Sequence, residues 1–178
     1  MPASVPVWPT VVPGAFVTSA LANTLSTNGG FLTSPPDFVG TQQTAQSIAA
    51  TTWVPLTMDT TQLDTYGGHS NVTNSSRYTC QPGAAGWYTV CGIAAFTLNG
   101  VGARAARLQV NGNPIAGTCT FIPTISSNAP GVATPTRDIY LNAGDYVEVA
   151  AWQNSGGAIN TTINSDLTSA LWVRWSHA

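Results

Sequence analysis

From residue 41 onward the apolar positions come in short runs rather than at helical intervals. "QSIAATTWVPLTM", "SRYTC", "GWYTVCGIAAFTL", "ARLQV", "GTCTFI", "RDIYL", "DYVEVAAW" and "SALWVRW" are rich in β-branched and aromatic residues and are bounded by Gly, Asn, Pro and Asp clusters. Eight such runs between residues 41 and 178 predict an all-β fold, a jelly-roll sandwich of about eight to ten antiparallel strands. Asn111-Gly112 and the "LNAGDYV" stretch mark tight turns between strands. In "DYVEVAAW" the alternation sets Val147, Val149 and Ala151 on one face and Tyr146 and Glu148 on the other, as in a half-buried outer strand.

"GWYTVCGIAAF", residues 86–96, does not alternate in this way. One face carries Trp87, Thr89, Cys91, Ile93 and Ala95, the other Tyr88, Val90, Gly92, Ala94 and Phe96. "SALWVRW" behaves similarly, with Leu171, Val173 and Trp175 set against Ala170, Trp172 and Arg174. A sandwich strand is apolar on both faces only where the second face is also covered, and the sequence offers no helix layer to cover it. Another subunit is therefore expected there. Arg174 either meets an acidic or carbonyl partner in that interface or emerges at the strand end.

The first 40 residues form a separate segment. Six of the twelve prolines lie at positions 2, 6, 9, 13, 35 and 36, and the apolar residues between them keep no period. Proline denies the segment ladder hydrogen bonds, so residues 1–40 are predicted to be an extended arm preceding a domain at 41–178. One short helix fits inside the arm: Thr18 or Ser19 caps it, Leu21 and Leu25 fall one turn apart, and Gly29-Gly30 ends it. Too short to be stable alone, such a segment orders by docking, and Trp8, Phe16, Leu21, Leu25, Phe31 and Leu32 are the expected anchors.

Composition narrows the partners. The chain is 43% hydrophobic but only 7% charged, with five Arg, no Lys and a formal net charge of -2. Scattered cations do not make a polyanion site, which removes nucleic acid and anionic membrane as partners. So little charge suits a surface wetted by Ser, Thr, Asn and Gln and partly hidden in an oligomer. The N-terminus lacks the basic start and continuous apolar core of a signal peptide, and no stretch is long enough to span a bilayer, so synthesis in a cytoplasm and no membrane insertion are expected.

Candidate chemistry is sparse. His69 sits in the polar loop "DTYGGHSNVTNSS" and His177 near the end of the chain, neither beside a Ser, Cys or carboxylate at a triad spacing. The carboxylates form no calcium-loop run, and Asp145 in its tight turn is expected to cap that turn. Cys80, Cys91 and Cys119 form no Cys-x-x-Cys pair and are expected as small buried hydrophobes, with a Cys80–Cys91 disulfide across a hairpin as the alternative. No cofactor, no metal and no enzymatic activity are expected. A glycan platform is the one sharper alternative: Trp53, Tyr66 and Trp152 for stacking on a sugar, with Asn154 for its hydroxyls.

Two resemblances add to this reading. "PGAAGWYTVCGIAAF", "RDIYLNAGDYVEVAAWQNSG" and "TSALWVRW" resemble, in order and spacing, strands of the C1q and tumour necrosis factor superfamily of jelly rolls. The likeness spans residues 41–178. It implies a homotrimer in which the strand at 86–98 and the final strand line the threefold axis, so Trp87, Thr89, Cys91, Ile93, Trp172 and Arg174 are expected to face neighbouring copies. "PGAFVTSALANTLSTNGGFLTSPPDF" resembles the opening of small virion proteins, minor tail or decoration proteins, of actinobacterial tailed phages. Together they imply a non-enzymatic structural protein of the virion surface. It would be assembled in the host cytoplasm, anchored by its arm to capsid or tail proteins, and in contact with host glycans if the loops bind sugar. A carbohydrate-binding module is the alternative function.

Overall fold

The computed structural model describes residues 4–124 and 126–178. Among them lie one helix, α1 (Ser19–Thr33), and sixteen strands, several of only two residues. In chain order the strands are β1 (Asp37–Thr41), β2 (Ser47–Ile48), β3 (Val54–Pro55), β4 (Thr60–Asp64), β5 (Arg77–Thr79), β6 (Gly86–Ala95), β7 (Ala103–Val110) and β8 (Asn113–Pro114). They continue as β9 (Thr120–Pro123), β10 (Gly131–Ala133), β11 (Arg137–Leu141), β12 (Tyr146–Gln153), β13 (Ile159–Asn160), β14 (Ile163–Asn164), β15 (Leu167–Thr168) and β16 (Ala170–His177).

Two six-stranded antiparallel sheets face each other in an all-β jelly roll. The first runs β10-β6-β16-β1-β4, with β11 extending the β10 edge of β6. The second runs β3-β12-β7-β8, with β5 also on β12 and β9 also on β7. Between them lie Phe38, Tyr88, Val90, Ala94, Leu171 and Val173 from the first sheet and Leu108, Val147, Val149 and Ala151 from the second. Alternation therefore falls as expected in "DYVEVAAW", although β12 is an interior strand of its sheet, paired on both sides. Its polar face is covered too: Glu148 is buried, accepting hydrogen bonds from Ser76 Oγ and from Gln109 Nε2 (2.9 Å). The sheets approach closely at Gly92, where a Cβ would stand 2.9 Å from Val149 side-chain carbons and 3.2 Å from the Ala170 carbonyl.

The N-terminal segment is tied to the domain more firmly than an arm at 1–40 implies. β1 begins at Asp37, inside that segment, and its register with β16 pairs Asp37 with Arg174 and Thr41 with Ala170. Thr18 caps α1, its Oγ1 accepting from the Leu21 amide (3.2 Å), but the helix does not stop at Gly29-Gly30. It runs on to Thr33 because Phe31 is fully buried, packed edge-on against Trp175 (4.8 Å between ring centres) and Tyr66 (5.9 Å). That tertiary contact outweighs the roughly 1 kcal/mol per residue by which glycine disfavours a helix. Phe31 is thus a core residue of this domain and not an exposed anchor. Upstream, the Val5 amide donates to the Gly83 carbonyl (2.7 Å) and Asn28 Nδ2 donates to the Val7 carbonyl (3.2 Å). Residues 8–17 are therefore held at both ends, with a turn at Pro13-Gly14 closed by the Ala15 amide on the Val12 carbonyl (3.1 Å).

Candidate functional site

The outward face of the first sheet carries exposed aromatic rings, and cross-strand register organises it into rows. His177, Trp87 and Tyr140 form one row, with Trp87 stacked on His177 (6.0 Å) and edge-on to Tyr140 (5.6 Å). The next is polar: Asp37, Arg174, Thr89 and Asp138 from four adjacent strands. Leu63, Val39, Trp172 and Cys91 follow, then Thr41, Ala170, Ile93 and Ala133. All six residues expected at a subunit interface, Trp87, Thr89, Cys91, Ile93, Trp172 and Arg174, lie on this one face. Trp87 and Trp172 are each 39% exposed and Tyr140 is 46% exposed, on either side of the polar row.

The polar row is internally paired. Arg174 Nε lies 3.8 Å from Asp37 Oδ2, so the acidic partner that Arg174 needs comes from its own chain, one strand away. Thr89 Oγ1 donates to Asp138 Oδ1 (2.6 Å). Exposed pairs of this kind contribute little to folding, about 0–1 kcal/mol; Arg174 offsets Asp37, while Asp138 keeps its charge with a neutral hydroxyl as partner.

A second apolar surface is the loop at 8–17. Trp8 is 61% and Phe16 91% exposed, and Val11, Val12 and Val17 are exposed beside them. Leu25 and Leu32 add exposed apolar area on α1, while Leu21 is half-buried. Of the expected anchors, all but Phe31 therefore retain accessible surface.

The glycan constellation is assembled only in part, at Trp53 and Trp152. Tyr66 is in the core, edge-on to Phe31, at the end of the sandwich where its loop neighbour Gly68 accepts from the Thr79 amide (2.7 Å). Thr79 pairs with Tyr146, and Trp152 lies six residues farther along β12, roughly 20 Å away. Asn154 Oδ1 is occupied as well, accepting from the Ala103 amide (2.6 Å). Trp152 belongs to an aromatic cluster with Trp53 and Phe121 on the outward face of the second sheet. Phe121 gave no signal in the sequence because its partners arrive only through the β9-β7-β12 register.

The cysteines are free, and a Cys80–Cys91 bridge is excluded by the sheet itself. Cys80 lies in the core 3.6 Å from Tyr88 Oη, whereas Cys91 projects from the opposite face of β6. Burial pushes the Cys80 thiol and the Tyr78 and Tyr88 phenols up from their ordinary values. Asp145 caps its turn as expected, accepting from the Asn142 amide (2.8 Å), Asn142 Nδ2 (2.9 Å) and Asn111 Nδ2 (2.8 Å), and these bonds hold its carboxyl below the usual range. His69 is a structural tie: its two ring nitrogens lie 2.8 Å from the carbonyls of Arg77 and Met58. Among the described residues, no group of three or more His, Cys, Asp or Glu is placed to hold a metal ion.

No family model matches the sequence, and no curated protein matches it at a significant level. Solved structures do. The globular domain of zebrafish complement 1qA protein superposes with a TM-score of 0.54 at 15% identity, covering 78% of this chain and 93% of that one. The Eiger TNF of S. frugiperda gives 0.54 at 12% identity, covering 80% and 92%. The PRD1 vertex protein P5 gives 0.53 at 13% identity, covering 79% and 96%. At these identities the likeness is one of fold, and it makes the domain a C1q- and TNF-like jelly roll.

Proposed function

We propose that this chain is a non-enzymatic structural protein that assembles as a homotrimer through the outward face of its first sheet, displayed on the surface of a tailed-phage virion. The observation that carries the reading is that face: three open aromatic rings, apolar neighbours, and an Arg174–Asp37 pair closed within the chain. A face of this kind is costly to leave in water, and an assembly on it would cover the rings while leaving the Asp138 carboxylate hydrogen-bonded or solvated. Closed cyclic symmetry is the usual way in which identical copies bury one apolar surface without forming a filament.

The trimer leaves the loop at 8–17 for a different contact. Five large apolar side chains without a charge, held at both ends by the domain, suit an apolar socket in a capsid or tail protein better than a linker role. The resemblance of residues 13–38 to openings of small virion proteins supports this attachment, as does the likeness in fold to a vertex protein. Capsid decoration and a minor tail position fit equally well.

Light scattering after size exclusion tests the assembly on the full chain. A mass of three times the 18.4 kDa protomer is expected, and Trp172→Glu should give a folded monomer, since the side chain projects out of the sheet and its loss disturbs no core contact. A wild-type chain that runs as a monomer at tens of micromolar overturns the trimer. Particle attachment is tested separately, by immunogold labelling of purified virions with and without Trp8→Ser and Phe16→Ser. Equal labelling would remove the loop as the anchor.

A further inference from the structure

The outward face of the second sheet carries a feature that the assembly does not use. Cross-strand register sets Phe121 on β9, Ala105 on β7 and Trp152 on β12 side by side, with Trp53 just before β3 beyond them. Ala105 and Ala150 form a floor that is fully buried beneath the larger side chains. Phe121 and Trp152 stand 5.3 Å apart at 68°, while Trp53 and Trp152 are tilted by only 35° at 6.4 Å. Two indoles thus form a shallow slab and the phenyl ring, 57% exposed, forms a wall at its edge.

A cation completes the row. The Arg107 guanidinium carbon lies 4.2 Å from the centre of the Trp53 ring, and Nη2 reaches Gln109 Oε1 at 3.4 Å, a long bond. Among the described residues no carboxylate lies within ion-pair range of Arg107. Glu148, the nearest acid by register, has its two oxygens occupied by Ser76 and Gln109. Stacked on Trp53, the guanidinium is held in one plane with donors to spare.

We propose that this row is a saccharide site, taking one hexopyranose ring of a glycan. The ring's C–H face lies on the Trp152 indole against the Phe121 wall, and Arg107, stacked on the neighbouring Trp53, donates to its hydroxyl oxygens. The chemistry is that of an amphipathic disc: apolar faces that aromatic rings cover, and a rim of hydroxyls that accept from a planar donor. A proline-rich peptide also suits aromatic grooves, but it offers carbonyls spaced along a helix rather than acceptors around one ring. The site lies on the sheet opposite the assembly face, so each copy of a trimer presents one outward. Single-ring sites bind weakly, and a trimer multiplies them.

The test uses the full chain and calorimetric titration with maltotetraose, cellotetraose, mannotetraose and N-acetylglucosamine tetramer, together with a proline-rich dodecapeptide. Saturable binding to at least one sugar is expected, weakened tenfold or more by Trp152→Ala and by Arg107→Gln, and unchanged by Trp87→Ala on the other sheet. Phe121→Ala, at the most exposed ring, serves if Trp152→Ala fails to fold. No sugar binding at about 10 mM, an affinity too weak to matter even with three sites, overturns the proposal. So does sugar binding that survives all three changes, or saturation by the peptide alone. A Trp172→Glu monomer that still binds sugar separates this site from the trimer, so either proposal can fail without the other.

Discussion

Phe31→Ala is the most informative single change, because sequence pattern and structure assign that residue different places. The side chain is fully buried between Trp175 and Tyr66, and it and Asn28 are the only residues of α1 with buried status. A buried phenylalanine removes about 200 Å² from water, worth roughly 5 kcal/mol at 25 cal/mol per Å² as an upper bound. Truncations of this kind cost about 3–5 kcal/mol when the site does not collapse. Here the helix is free to leave instead: fifteen residues with two internal glycines have little helical stability of their own, so the loss caps at the docking energy of the whole N-terminal segment. We therefore expect a melting temperature lower by up to about 6–12 °C, for a loss of about 3 kcal/mol at 2–4 °C per kcal/mol in a domain of this size, and new protease cleavage between residues 8 and 36. Leu32→Ala, one position on and 51% exposed, is the control, with an expected change within about 0.5 kcal/mol. Equal melting temperatures and equal protease resistance for the two variants would refute the docking of α1 through Phe31.

Three further outcomes follow from the packing. Gly92→Ala should destabilise the fold by about 1–3 kcal/mol in urea titration, since the added methyl meets Val149 and the Ala170 carbonyl where the sheets touch. Because hydrogen bonds depress the folded-state carboxyl of Asp145, its contribution is present above the unfolded carboxylate value and is lost as pH falls below about 4. Asp145→Asn should therefore flatten the acid limb of the urea midpoint between about pH 5 and pH 2, and an unchanged limb would discount the turn's bonds. A thiol reagent should modify exposed Cys119 first and reach core Cys80 only on unfolding, while Cys91 should be slow in the trimer and faster in the Trp172→Glu monomer. Equal Cys91 rates in the two proteins would argue against the first sheet as the interface.

What could be seen in the sequence was whatever depends on alternation within one strand. "GWYTVCGIAAF" and "SALWVRW" declared two apolar faces, and the side chains fall on those faces as the two-residue period requires. The cap at Thr18 was equally local. What depended on distant register was hidden. Gly29-Gly30 looked like a stop because the contact that carries the helix past them is made with Tyr66 and Trp175, far along the chain. Tyr66 looked like a loop aromatic for the same reason, its cover being Phe31. Trp53, Phe121 and Trp152 lie in three separate runs and become one surface only when β9, β7, β12 and β3 are laid in order. Arg174 left two readings open, a partner within an interface or exposure at the strand end, and the pairing of β1 with β16 sets it opposite Asp37 with its side chain largely exposed.

That same pairing governs when the molecule can exist. β16 is the strand between β6 and β1, so the first sheet has a gap through its middle until synthesis has passed residue 177. A chain still on the ribosome can form hairpins and pair β12 with β7, but β1 and β6 must wait, their edges open, for a neighbour more than seventy residues downstream of the nearer one. The outward face of the first sheet is thus incomplete until β16 has emerged and paired with both neighbours.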